Sequence, residues 1–521
     1  MGALITEPLA NISSGAGRQK RVTAERAIKT FFGSNAIVAI VVLTLITIFL
    51  FREGFGFFQQ NLENIRLYRR AGLEFVDIMR EPADRHTALS RQLNDIRLQE
   101  IRGQGSQVAL DGFNQFATAF SASGDQLNDL VSVATEQAVG LRRALMGEVE
   151  ETEPVDSSPE TASADGASAE SLPVDPEQRM VALLGSTEKF VAISTAMTAE
   201  IRNLLATDPP LQNAKARRSL AKWKTKTQNY LAELPATAQR LRTWNMQEPV
   251  PAYRAVTSFL LGKNWITASF WQDWYGIIPL LVGSTMVSVV ALFIAVPLGV
   301  SSAIYVSEIA APAEKRLIKP YIEFISAIPS VVLGFFGIAV VGQAVRTLSQ
   351  LPAMKWVPFF PIGERLNVFT AGCLLALMAV PTIFTLAEDA LRNVPRGFKE
   401  ASYALGANRL QTILRVLVPA SLSGIISAIL LGLGRVIGET MVVLLCAGNR
   451  IAIPDFTQGL GAFFEPVHTM TGIIAQEMGE VVRGSIHYRA LFMVGLFLFA
   501  LTLGINYLAQ KIVGRYRMSI G

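Results

Sequence analysis

The sequence predicts an all-α, polytopic membrane protein with about six transmembrane helices and a helical extracytoplasmic insertion. Three observations carry this. Mean hydropathy is +0.35 over 521 residues, half of which are hydrophobic and 17% charged; soluble domains carry roughly a quarter charged residues. Six apolar runs, at roughly 35–57, 277–306, 322–347, 367–390, 421–447 and 488–511, are long enough to cross about 30 Å of hydrocarbon. The short loops joining them alternate between rich and poor in Lys and Arg.

Taken in order, the N-terminal tail, 1–34, carries Arg18, Lys20, Arg21, Arg26 and Lys29. The first run, 35–57, lies too far along the chain and lacks the cleavage pattern of a signal peptide, so it is expected to be a retained anchor. Basic residues recur at Lys315, Arg316 and Lys319; at Arg392, Arg396, Lys399, Arg409 and Arg415; and at Lys511, Arg515 and Arg517. With six spans these regions all fall on one side, which the positive-inside rule makes cytoplasmic, together with both termini.

The segment 58–264 is then extracytoplasmic. Helical patterns at 60–100, 108–147, 178–206 and near 214–244 point to a helical bundle, with Leu89, Leu93 and Leu98 as expected core residues. Between them, 148–177 carries ten acids and no base, the composition of a disordered linker. The role expected of this bundle is structural or docking, and removing 60–250 is expected to leave the transmembrane part able to fold. The core follows at 265–515, with a short tail at 516–521.

Several chemistries are excluded by what the sequence lacks. Cys373 and Cys446 sit in apolar runs without ligand spacing, and His86, His468 and His487 form no cluster, so no metal site is expected. There is no G-x-x-x-x-G-K-[ST] loop to hold nucleotide phosphates, no Ser/His/Asp set, no paired-His helix and no kinase signature. Nothing points to an enzyme or to a nucleic-acid partner. ATP hydrolysis would have to come from another subunit.

One cytoplasmic loop suggests where that subunit docks. From Glu400 it reads EASYALGANRLQTILRVLVPA: helix, glycine, helix, proline. Gly406 allows a tight turn, Asn408 can cap the following helix, and Leu410, Ile413, Leu414 and Leu417 are expected to form one apolar face. The stretch resembles the EAA loop of ABC-importer permeases, E-A-A-x(3)-G-x(9)-I-x-L-P. Glu400, Ala401, Gly406 and Pro419 match, while Ser402, Val416 and Val418 are conservative departures. The resemblance implies a coupling helix docked on an ATPase, with Glu400, Ala401, Gly406, Arg409 and Pro419 as its coupling residues.

Further stretches are similar to one branch, the PstC-type permeases of high-affinity phosphate importers. They include EFISAIPSVVLGFFG (323–337), LGLGRVIGETMVV (431–443) and MGEVVRGSIHYRALFMVGLFLF (478–499). The likeness covers about 30–57 and 265–515 and omits the insertion. It implies a type I ABC-importer permease architecture in the bacterial inner membrane. It also implies a second homologous permease subunit, two ABC ATPases that use ATP and Mg²⁺, and a periplasmic phosphate-binding protein, with no cofactor held by this chain. The lipid bilayer is the remaining partner.

Arg435 and Glu439 are the only charges in the run 422–445. In one continuous helix they would be i,i+4 neighbours. A purely structural ion pair is one reading, although an apolar pair costs less in lipid. The other is an anion path: the guanidinium fork suits phosphate oxygens, and Glu439 can accept a hydrogen bond from protonated phosphate, which sulfate cannot donate. The resemblance implies transport roles for these two residues. Thr440 is expected beside the pathway, and Gly432, Gly434 and Gly438 are expected to permit close helix approach or kinking. Ser326, Pro329 and Ser330 interrupt the third run, as pathway or gate or as a packing bend. Ser284, Thr285 and Ser288 are expected to bond the helix backbone, and 455–486 to form an outer amphipathic hairpin with His468 satisfied locally. The substrate expected is inorganic phosphate; another oxyanion (sulfate or molybdate) and a membrane-anchored phosphate sensor are the alternatives.

Overall fold

The computed structural model describes residues 15–102, 106–146, 176–267, 269, 272–354, 356–357 and 359–516. The expected acidic linker lies almost wholly outside the described residues. The chain divides into two compact units. One takes in the described residues up to Phe58, Leu260–Asn264 and those from Gly276 onward; the other comprises Gln59–Phe259 and Trp265–Tyr275. Residues 265–275, expected to open the membrane core, therefore group with the insertion, where β1 (Trp265–Ile266) pairs antiparallel with β2 (Trp274–Tyr275). Helix α1 (Gly15–Arg70) supplies residues to both units. Ile37, Ile40, Leu43, Ile46 and Phe49 are exposed around it, as expected of a helix that faces lipid.

The second unit is a helical bundle: α2 (Leu73–Arg102), α3 (Gln107–Ala122), α4 (Asp125–Met146), α5 (Pro176–Ala206), α6 (Ala214–Thr243) and α7 (Tyr253–Leu260). The pattern expected over 108–147 is two helices, parted at Ser123 and Gly124. Leu89, Leu93, Phe113, Phe120 and Trp223 are buried in one core, and the Trp223 indole N–H donates to the Leu89 carbonyl at 2.9 Å. Leu98, expected there, is exposed instead. Glu100 is fully buried and accepts from the backbone N–H groups of Gln212 (2.8 Å) and Asn213 (3.0 Å), closing the turn before α6.

Among the described residues seven helices, not six, are long and apolar enough to cross a bilayer. The additional one, Gln178–Ala206, buries Leu183, Phe190, Met197 and Ile201 in the second unit's own core and carries charges along its length. It is an amphipathic bundle helix.

The first unit is built around α12 (Val368–Arg392), which lies against α8 (Ile278–Ile304) and α15 (Val418–Ile437). Ile383 of α12 fits between two glycines. A Cβ at Gly299 of α8 would lie 2.9 Å from its Cγ2, and one at Gly432 of α15 2.7 Å from its Cγ1. Small residues thus let the helices approach where lipid offers no hydrophobic drive. Helix α18 (Ile486–Tyr516) completes the set.

Two of the expected spans are broken. The run at 322–347 is not one helix: α9 (Pro312–Ala327) ends, Ile328 and Pro329 are extended, and α10 (Ser330–Phe336) begins. Pro329 drives the residue before it out of the helical region, which gives a break rather than a kink. The membrane-length segment is Ser330–Ser349, through a π turn at Gly337–Val341 and α11 (Gly342–Ser349). The run at 421–447 is likewise α15 followed, after Gly438–Thr440, by α16 (Met441–Cys446).

Candidate functional site

The loop that resembles the EAA motif forms an elbow. Helix α13 (Arg396–Ala404) ends before Gly406, whose φ of +80° favours glycine. Asn408 then caps α14 (Arg409–Thr412), its side chain accepting from Gln411 N at 2.8 Å while Gln411 Oε1 accepts from Asn408 N at 3.0 Å. The Ser402 and Thr412 hydroxyls meet at 2.9 Å across the elbow and fix its angle. Glu400 and Ala401 are exposed on the outer arm.

The apolar face expected here is split. Ile413 and Leu417 are buried, while Leu410 and Leu414 are exposed together with Tyr403 and Leu405. Pro419, expected to close the loop, lies instead within continuous helix. The turn before it, Ile413–Leu417, is π-helical, with Val418 N–H bonded to the carbonyl of Ile413. This widened turn accommodates the ring and the missing donor.

The two basic loops meet on one face. Lys319 and Arg392 approach the fully buried Glu388 carboxylate at 3.0 and 3.1 Å. Lys399 pairs with Glu308 at 2.7 Å, and Arg409 donates to the Glu308 carbonyl. The poorly basic loops gather elsewhere: Phe359, Phe360 and Phe369 pack around Phe464, and Val368 N–H donates to the Glu465 carbonyl at 3.2 Å.

Arg435 and Glu439 do not form an ion pair. Helix α15 stops at Ile437 with Gly438 as its cap, so the i,i+4 register that would join them is lost. Arg435, exposed on the last turn, donates through Nη1 to Thr382 Oγ1 of α12 at 2.9 Å. Glu439, half-buried, turns its carboxylate to Met441 N at 3.3 Å, while its carbonyl accepts from Thr471 Oγ1 at 2.8 Å. Thr440 is half-buried in the break and caps nothing through its side chain. Gly434 and Gly438, expected to bring helices together, meet no neighbouring helix: a Cβ at either would touch at most its own turn. Gly432 permits the close approach expected, and Gly438 marks the expected interruption, since α15 ends there. Gly434 and Arg435 therefore lie on a face of this chain that its own helices leave open.

Ser326 is exposed and donates to the Glu323 carbonyl at 2.6 Å; Ser330 opens α10 and is half-buried. Among the described residues neither bonds Arg435 or Glu439. The broken segments do meet further along, where Cys446 Sγ of α16 donates to the Gly334 carbonyl of α10 at 3.3 Å.

The segment 455–486 is not an exposed hairpin. After a 3₁₀ stretch at Phe456–Phe464, residues Val467, His468 and Met470 are buried, and α17 (Met470–Glu477) buries its first turn. The cause is local. Ser284 Oγ of α8 accepts from Met470 N at 2.9 Å, and the His468 carbonyl lies where a Cβ at Gly283 would be, 2.1 Å away. Ser288 bonds the Ser284 carbonyl as expected of a helical serine, but the Ser284 hydroxyl is committed to this tertiary contact. His468 is satisfied nearby by Gln476 (3.1 Å) and Thr469 N (3.0 Å); burial holds its ring below the ordinary value, and the Gln476 bond and Glu477 oppose that only partly.

Thr382, Thr471, Glu308 and Glu388 are structural partners that the sequence reading missed. Thr382, Thr471 and Glu308 act across at least 32 residues of chain, so spacing gives no sign of them; Glu388 is an i,i+4 neighbour of Arg392, but its other partner, Lys319, lies far away in sequence. Among the described residues no His, Cys, Asp or Glu group could hold a metal ion.

Comparison with known proteins places this geometry. Residues 295–517 match the family model described as binding-protein-dependent transport system inner membrane component. The chain is 35% identical to the probable ABC transporter permease protein YqgH of Bacillus subtilis, over 49% of this chain and 77% of that protein. It is 32% identical to the phosphate transport system permease protein PstC of Haemophilus influenzae, over 51% and 83% respectively. The corresponding figures for PstC of Mesorhizobium japonicum are 29%, 51% and 81%. Among solved structures, an inward-facing MetNI methionine ABC transporter chain aligns at 21% identity with a TM-score of 0.33, over 46% of this chain and 94% of that one, too low to carry an argument. The sequence motifs, the helical membrane unit and these relatives agree: the chain belongs to the PstC-type family of ABC transporter permeases.

Proposed function

We propose that this chain is the permease subunit of an ATP-driven importer that carries inorganic phosphate into the cytoplasm by alternating access. The observation that supports this best is Arg435: a guanidinium on the last turn of an apolar, membrane-length helix, beside a helix break, on an open face, held by a hydroxyl rather than by an acid. A charge there is costly in lipid, so that face belongs against protein or water. A second homologous permease subunit covers it, and the pathway runs between the two. Irregular backbone at membrane depth, as at Gly438–Thr440, is tolerated where it lines such a path.

Arg435 keeps forked N–H donors for phosphate oxygens beyond the one given to Thr382. Glu439, not neutralised by Arg435, moderates the attraction and accepts a hydrogen bond from protonated phosphate. The exposed Tyr403, Leu405, Leu410 and Leu414 of the elbow form the seat for a dimer of ATPase subunits, which bind and hydrolyse ATP with Mg²⁺. The meeting of the two basic loops supports a shared cytoplasmic side, with both termini there. A periplasmic phosphate-binding protein delivers the anion.

Radiolabelled phosphate uptake in cells carrying Arg435→Gln tests the reading. At equal membrane levels the variant is expected to lose most uptake, and in the wild type excess sulfate or molybdate should not compete. Undiminished uptake in the variant, or competition by sulfate, would overturn it.

A further inference from the structure

We propose that Glu308 is the tie through which the elbow moves α8, and that α8 carries this motion to the break at Gly438–Thr440. The inference rests on the permease reading, and it assigns coupling to residues outside the elbow.

The tie engages both arms of the elbow. Lys399, on α13, pairs with the Glu308 carboxylate at 2.7 Å; Glu308 has a side chain only 10% exposed. Arg409, the first residue of α14, donates to the Glu308 carbonyl and, at 3.4 Å, to that of Ile309. Lys315 adds a bond to the Ser307 carbonyl at 2.9 Å. Glu308 lies in the π turn Tyr305–Ile309 that ends α8. With both sides of Gly406 fastened to one residue, a push on either arm reaches the same helix end.

The other end of α8 holds the break. Ser284 to Glu308 spans about 36 Å of helix at 1.5 Å per residue, enough to cross the hydrocarbon. At its far end Ser284 accepts from Met470 N, and the His468 carbonyl packs on Gly283. Next to Met470, Thr471 donates to the Glu439 carbonyl at 2.8 Å. Three contiguous contacts therefore join the elbow to the backbone of the pathway glutamate. A displacement of α8 along its axis is delivered to Glu439, whose carbonyl, in the break between α15 and α16, is bonded by Thr471 rather than by a helix.

The test uses the complete transporter complex in proteoliposomes, with Met441→Cys as a reporter just past the break and with Cys373 and Cys446 replaced by alanine. The rate of maleimide labelling at 441 is read with and without a non-hydrolysable ATP analogue, beside phosphate moved per ATP hydrolysed. The expected result is at least a threefold nucleotide-dependent change in labelling with Glu308 and Lys399 intact. That change should vanish in Glu308→Lys and in Lys399→Glu, and return in the double charge exchange. Glu308→Gln, which is neutral and isosteric, takes the place of any single variant that does not assemble. Retention of the change in the single variants, or its absence from a double variant that assembles normally, would overturn the inference. The labelling readout does not depend on the anion carried. A reporter that responds without phosphate movement would refute the substrate reading and leave the tie standing.

Discussion

Thr382→Val separates a positioning role from a packing role at Arg435, the residue proposed above to line the pathway. The substitution keeps shape and β-branching and removes one hydroxyl, the acceptor for Arg435 Nη1 at 2.9 Å. A hydrogen bond to a charged group contributes about 1.5–3 kcal/mol where water is excluded. Arg435 is exposed and Thr382 only half-buried, so water offsets part of the loss and about 1 kcal/mol remains. At 1.4 kcal/mol per tenfold, this weakens apparent phosphate affinity about fivefold. Initial rates of radiolabelled phosphate uptake across a concentration series check it, with Thr382→Ser as the variant that keeps the acceptor. The expected pattern is a raised half-saturation concentration in the valine variant, near-normal values in the serine variant, and equal amounts of each protein in the membrane. A valine variant with wild-type affinity, or a serine variant as impaired as the valine, would refute the positioning role.

Two further outcomes follow from packing and burial. Gly432→Val places atoms against Ile383, whose Cγ1 lies 2.7 Å from a Cβ at that position; overpacking of this kind costs about 1–3 kcal/mol, so detergent-solubilised protein should unfold at lower temperature while Gly434→Ala, in open space, stays near wild type. His86 stacks on Phe120, shares a hydrogen bond with its carbonyl at 2.9 Å, and is held below its ordinary pKa by burial. Its folded pKa is depressed, so the unfolded chain binds the proton more readily and stability falls as pH drops below about 6.5. Thermal unfolding of the full chain between pH 7.5 and 5.5 should show that loss, and His86→Gln should reduce it, leaving the share of His468, which burial also holds low.

Much of the membrane unit is legible in the sequence because hydropathy and local capping are properties of neighbouring residues. Gly406 and Asn408 announce the elbow, and Pro329 announces an interruption. Long-range partners have no such sign. Arg435 and Glu439 look like a helical pair only while the helix is assumed to run through Gly438, and that assumption failed because a glycine cap and the Thr471 hydrogen bond stabilise an alternative. The buried course of 462–473 was missed for a related reason: Ser284 reads as an ordinary helical serine, yet its hydroxyl receives a backbone N–H from 186 residues away. Leu410 and Leu414 show the converse, since helical spacing identifies a stripe but not whether that stripe meets the core or a partner.

Helix α5 has a consequence for how the chain is made. During synthesis it emerges before the bundle that will bury Leu183, Phe190, Met197 and Ile201 exists, so the insertion machinery meets it as a candidate stop-transfer segment. Glu188, Lys189, Glu200 and Arg202 are what distinguish it from a span at that moment. Replacing Glu188 and Lys189 with leucine should lodge it in the bilayer and invert the five membrane-length helices that follow, which would move the elbow to the opposite side of the membrane. Those charges thus act on the orientation of a unit to which they do not belong, and protease protection of the 396–420 loop in membrane vesicles reports whether they succeed.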